Sequence, residues 1–124
     1  MVKYTLTIPG RLPCLNDVIE AGRSNRYQGA HLKKRVESEI IWLIRSQLPG
    51  IRITKQVNLR HWWYEPNQRR DKDNIISAKK FIWDALVRAG TLKNDGWKEI
   101  GDVRDFVLLD EKNPRIVVEI EEIG

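Results

Sequence analysis

The chain has 124 residues, 41% of them hydrophobic and 31% charged, with 22 Lys or Arg against 17 Asp or Glu. That length suits one ordinary domain burying roughly two-thirds of the surface its unfolded form exposes, and the longest apolar run, Ile40-Ile41-Trp42-Leu43-Ile44, falls far short of the ~20 residues of a membrane span. One cysteine, Cys14, excludes an internal disulfide, His31 and His61 supply no zinc-site spacing, and no charged-then-apolar leader opens the chain, so a soluble cytoplasmic protein without a membrane partner is expected.

The net charge of +5 conceals an uneven distribution. Residues 1–70 hold 13 Lys or Arg and 5 Asp or Glu, whereas residues 71–124 hold 9 and 12. A basic half can neutralise phosphates while an acidic half gathers carboxylates; the same charges also serve as solvated faces of a small protein.

Val2, Tyr4, Leu6 and Ile8 alternate with polar residues as far as Pro9-Gly10, the pattern of a half-buried strand ended by a turn. From there to Gly29 the chain is rich in Gly, Pro, Asn and Arg and reads as a long loop, of a length more often functional than idle. Its Arg11, Arg23 and Arg26, beside Tyr27, suit tracking of a nucleic-acid backbone, with an ordinary mobile loop as the other reading.

Leu32, Val36, Ile40, Leu43 and Gln47 recur at helical spacing, widened by Ile41, Ile44 and Leu48. They predict an amphipathic helix over 30–48, stopped by Pro49-Gly50, with Lys33, Lys34 and Arg35 outermost. Alternation from Ile51 to Trp63 predicts a long strand with one wet face. His61, on its apolar side, reads as a packed core histidine. Trp62, Trp63 and Tyr64 suit packing against a helix or a partner subunit, or stacking on bases.

A second helix is predicted from about Asn74 to Ala89, with Ile75, Ala78, Ile82 and Leu86 on one stripe and Gly90 as its left-handed stop. After the turn Asn94-Asp95-Gly96 comes a mixed stretch to Leu109, a turn at Asn113-Pro114, and a strand in which Ile116, Val118 and Ile120 share a face. The order strand, helix, strand, helix, strand, strand predicts a mixed α/β (α+β) fold. It forms one domain, residues 1–124, in which two amphipathic helices pack a small mixed sheet.

Between the second strand and second helix lies QRRDKDNI. Asp71 and Asp73 are an i, i+2 pair, which in extended chain points to one side, and oxygen ligands of this type suit Mg²⁺. The same Asp-x-Asp also suits an N-cap, with Asp73 accepting free amides of the helix start. Arg69 and Arg70 lower the cost of two adjacent anions and can grip a phosphate. Lys80, seven residues past Asp73, lies on the same helical face, whereas Lys79 is rotated roughly 120° away; leaning back toward the helix start, Lys80 would approach a scissile phosphate. Asp95 sits in turn chemistry about 24 Å further along a helix of that length, and joins the pair only if the chain then runs back or a second subunit contributes.

Taken together, RRDKDN, AKKFIWDALVRAG and TLKNDGWKEI resemble the RusA family of Holliday junction resolvases, small Mg²⁺-dependent endonucleases often carried by phages and prophages. PGRLPCLN, with Asn16, resembles the start of that family, and DEKNPRIVVEIEE its last strand, so the resemblance covers nearly the whole chain. It implies a homodimer cutting opposed strands of a four-way junction, with metal held by the positions matching Asp71, Asp73 and Asp95. The family's catalytic lysine, commonly four residues after the second aspartate, falls here on Ser77; aligning Trp83-Asp84-Ala85-Leu86 moves it to Lys80.

The mechanism expected is phosphodiester hydrolysis. Mg²⁺, with Mn²⁺ as a substitute, would activate water, and Lys80 would stabilise developing charge. Arg11, Asn16, Arg23, Arg26, Lys33, Lys34, Arg69 and Arg70 would hold DNA. A nuclease for other branched or single-stranded DNA, and a non-catalytic DNA-binding module, are the competing expectations.

Overall fold

The computed structural model describes residues 2–123, with the backbone alone at Leu15 and Ser24. Its elements are β1 (Lys3–Pro9), α1 (Leu15–Ser24), α2 (Arg26–Gln47), β2 (Val57–Glu65), α3 (Lys72–Ser77), α4 (Lys79–Arg88), β3 (Ile100–Leu109) and β4 (Arg115–Glu122). The strands form one mixed sheet in the order β1-β4-β2-β3. β4 is antiparallel to both neighbours, while β2 and β3 run parallel. Parallel neighbours need a crossover, and here α3 and α4 provide it.

Period-2 alternation puts Leu6 and Ile8, Val57, Leu59 and Trp63, and Ile116, Val118 and Ile120 on one face of the sheet, all buried. Val36, Ile40 and Ile44 of α2 and Phe81, Ile82, Ala85 and Leu86 of α4 complete that core. The opposite face is partly open: Trp62 stacks on Phe106 at 5.5 Å between centroids, and the Arg115 guanidinium lies 3.8 Å over the Tyr64 ring. The aromatic triplet therefore divides, Trp63 to the core and its neighbours to the open face.

The mixed α/β fold and the order of its elements match expectation, and four local expectations are corrected. Residues 11–29 are not a loop. Asp17 accepts the Cys14 backbone N–H at 2.8 Å and starts α1, and the Asn25 side chain accepts the Tyr27 N–H at 2.9 Å and starts α2. Polar composition concealed these caps. α2 consequently begins at Arg26 rather than residue 30. Alternation from Ile51 overran the strand: β2 starts at Val57, and Ile53 makes only an isolated bridge to Leu92. The second predicted helix is two segments meeting at Ala78, where hydrogen bonds tighten to three-residue spacing, Ala78 N to Ile75 O at 3.3 Å and Phe81 N to Ala78 O at 3.1 Å.

The α1–α2 hairpin depends on a glycine contact. A Cβ on buried Gly29 would lie 2.9 Å from the Gly22 Cα and 3.3 Å from the Val18 carbonyl oxygen, both backbone atoms. Gly29→Ala should therefore lower stability by about 1–3 kcal/mol despite alanine's better helix propensity. Urea denaturation of the variant beside the parent chain measures this; equal midpoints would refute the close contact.

Candidate active site

The loop leaving β2 delivers RRDKDN to the start of α3, beyond the carboxyl end of a parallel strand, where ligands of open α/β sheets commonly bind. Asp71 is the N-cap residue of α3, yet its side chain makes no capping hydrogen bond. Asp73 accepts only the adjacent Asn74 N–H, at 2.9 Å. Both are exposed, and neither has an ion-pair partner among the described residues. The capping role that the sequence allowed is thus not where these carboxylates are used.

The segment resembling the family's start docks on this motif. Asn16 donates to the Asn74 side-chain oxygen at 3.1 Å. Arg70 donates to the Leu12 carbonyl at 2.9 Å and lies 3.8 Å from Asp17. Arg11 is also engaged within the fold, bidentate to buried Glu65 at 2.6 and 3.3 Å. Arg11 and Arg70 therefore brace the loop, whereas Arg23, Arg26, Lys33, Lys34 and Arg69 are exposed. Arg26 and Lys33, seven residues apart on α2, share a face.

Beyond Gly90 (φ 81°) the chain does run back. Thr91 and Leu92 donate to the Leu86 carbonyl at 3.0 and 3.2 Å, and Ile53 N donates to the Thr91 carbonyl at 2.8 Å. The return brings Asp95 to 3.8 Å from Lys80 Nζ, which also pairs with Asp84 at 3.0 Å. Lys80 thus reaches forward along α4 instead of leaning back toward Asp73. The hydrogen bond to Asp84, with Asp95 adding to it, holds the ammonium above its usual lysine range.

A partly buried polar cluster lies between α4 and the sheet. Asp105 of β3 accepts Lys79 Nζ at 2.5 Å and Trp63 Nε1 at 2.9 Å, and sits 3.2 Å from His61 Nδ1. Trp83 Nε1 donates to His61 Nε2 at 3.1 Å, which requires a lone pair there and leaves the ring proton on Nδ1, facing Asp105. Lys79 brings a full positive charge to the carboxylate. Burial pushes Asp105 up, but the bonds from His61, Lys79 and Trp63 outweigh it and hold the carboxyl well below the usual range. His61 is the packed histidine expected. The cluster itself had no sequence signal: Lys79 and Asp105 are 26 residues apart, on α4 and β3, and only the parallel register sets His61 beside Asp105.

A family model described as Endodeoxyribonuclease RusA matches residues 17–121, from α1 through β4. The chain belongs to the RusA family. The crossover junction endodeoxyribonuclease RusA of Aquifex aeolicus (strain VF5) is 37% identical over 82 residues, which span 59% of this chain and 63% of that relative. Ser77, the position on which the expected lysine offset fell, donates its hydroxyl to the Asn74 carbonyl at 2.6 Å.

The donor chemistry of Asp71, Asp73 and Asp95, carboxylate oxygens only, fits a hard divalent ion. Among the described residues, however, no three of His, Cys, Asp or Glu are gathered closely enough to hold one. Among the described residues the geometry shows Asp71 and Asp73 as a pair without a cation and, apart from them, the Lys80–Asp95 contact.

Proposed function

We propose that the chain is a divalent-metal-dependent endodeoxyribonuclease that resolves four-way DNA junctions by symmetric phosphodiester hydrolysis. Membership of the RusA family and the activity for which the Aquifex relative is named support this reading. In the chain's own geometry one observation carries it: two adjacent exposed carboxylates at the start of α3 have neither a cap nor a cation to satisfy them among the described residues.

Asp71, Asp73 and Asp95 would hold the ion, Mg²⁺ or in its place Mn²⁺, which supplies Lewis acidity and a water of lowered pKa. Lys80, kept protonated by Asp84 and Asp95, places fixed positive charge beside Asp95, where charge on a bound phosphate would grow. Arg23, Arg26, Lys33, Lys34 and Arg69 bind backbone phosphates, while Asn16, Arg11 and Arg70 act through the loop they brace.

A two-fold junction matches a two-fold dimer. β3 suits such an interface: it is an edge strand that exposes Val103, Phe106, Leu108 and Leu109. Among the described residues no helix is long and apolar enough to cross a membrane.

Incubating the protein with a synthetic four-way junction, a linear duplex and a flap, each with Mg²⁺ and with EDTA, tests the reading. Paired symmetric nicks in the junction with Mg²⁺ alone are expected. Equal cutting of flap or duplex would leave a nuclease of another substrate, and binding without cutting would leave a DNA-binding module.

A further inference from the structure

Two polar ties, one helical turn apart, fix how α4 sits on the sheet. Lys79 Nζ donates to Asp105 Oδ2 at 2.5 Å, and Trp83 Nε1 donates to His61 Nε2 at 3.1 Å. Both end on one pair of sheet positions, because His61 and Asp105 are partners in the parallel register of β2 and β3. Two ties on the same face constrain rotation and height together. The apolar residues beside them, Phe81, Ile82, Ala85 and Leu86, supply burial but no directional bond.

Lys80 follows Lys79 by one residue and so points about 100° around the helix from it. It therefore inherits its direction from ties it does not itself make. That direction is the one in which it meets Asp84 and Asp95. α3 does not impose this setting, since the chain changes to three-residue hydrogen bonding at Ala78 between the two segments. The sheet does, through Asp105.

We propose that Asp105, acting through Lys79, is a positioning residue for Lys80: it locks the rotation of α4 so that the Lys80 ammonium stands beside Asp95. The inference rests on the metal-dependent nuclease reading above and adds residues to which that reading gives no role. Asp105 and Lys79 touch neither DNA nor metal in this assignment. Their effect on cutting must pass through Lys80, and a purely structural contribution need not.

A double-mutant cycle in the full chain separates the two. Cleavage of the four-way junction is measured under single-turnover conditions for the parent, Lys79→Met, Lys80→Ala and the double variant, with folded fraction checked by thermal melting. In the parent background Lys79→Met should slow cutting about 10-fold or more, with junction affinity and Mg²⁺ half-saturation changed less than about two-fold. Lys79→Arg, which keeps a donor for Asp105, should recover most of the rate. In the Lys80→Ala background, Lys79→Met should cost less than about two-fold. Trp83→Phe, which removes the second tie but keeps an aromatic ring, goes through the same cycle should Lys79→Met melt too low. Equal losses in both backgrounds overturn the inference while leaving the nuclease reading standing. A parent chain that never cuts in Mg²⁺ overturns both.

Discussion

Asp73→Asn should slow Mg²⁺-dependent cutting of a four-way junction by about 10³-fold, corresponding to about 4 kcal/mol of transition-state stabilisation. The amide keeps the size of the side chain and an oxygen able to accept the Asn74 N–H, so the loss isolates the charge. Asp71→Asn should behave alike, for its side chain makes no capping hydrogen bond to lose. An N-cap role makes the opposite forecast. It requires about 1 kcal/mol of lost stability with cutting retained. Parallel measurement of nicking rate and urea midpoint therefore decides between ligand and cap. Unchanged cutting by Asp73→Asn would remove the metal site from the proposed function.

Asp105→Ala should be the most destabilising substitution at the polar cluster, costing about 3 kcal/mol or more, because it strands the donors of Lys79, Trp63 and His61 near the core. The Lys79 side chain keeps 26% exposure, which places the cost toward the lower end of the range for buried pairs. The pH dependence has a definite sign. Asp105 is held below its unfolded value of about 3.9, so its stabilisation is fully present above that pH and is lost as the pH falls below it. Acid unfolding of the parent chain should thus steepen below about pH 4, and Asp105→Ala should flatten the curve. Chemical denaturation between pH 2.5 and 7 would show it; parallel curves for the two proteins would contradict the assignment of Asp105 as the buried acceptor.

Elements with a clear period were legible in the sequence. Leu6 and Ile8, the Val36–Ile40–Ile44 stripe and Ile116, Val118 and Ile120 stand in the core as their spacing required, while Tyr4 packs against it half-buried and Val2 is exposed. The misses have physical causes. α1 does carry Leu15, Val18 and Ile19 at helical spacing, but the stripe is short, and its start depends on a side-chain cap that polar composition hides. At Ile51–Gln56 alternation persists without a partner strand, since most of that segment pairs with no neighbour. At the site, Asp71 and Asp73 could be read from the motif because their relation is local. The Lys80–Asp95 contact could not, since it depends on a chain reversal anchored by Leu86 and Ile53. Least visible was Asp105, a residue in an ordinary alternating strand whose partners come from two other elements.

Sheet order has a bearing on how the molecule is made. β4, the latest of the four strands in sequence, lies between β1 and β2, so the sheet cannot join its first strand to the rest until residues 115–122 have inserted. Long-range pairing of this kind is the slow part of folding. The α1–α2 hairpin closes on itself at Gly22 and Gly29, and α2 also packs on α4 and β1. During synthesis, β1, although made first, therefore waits without a strand partner in this sheet until residues 115–122 exist.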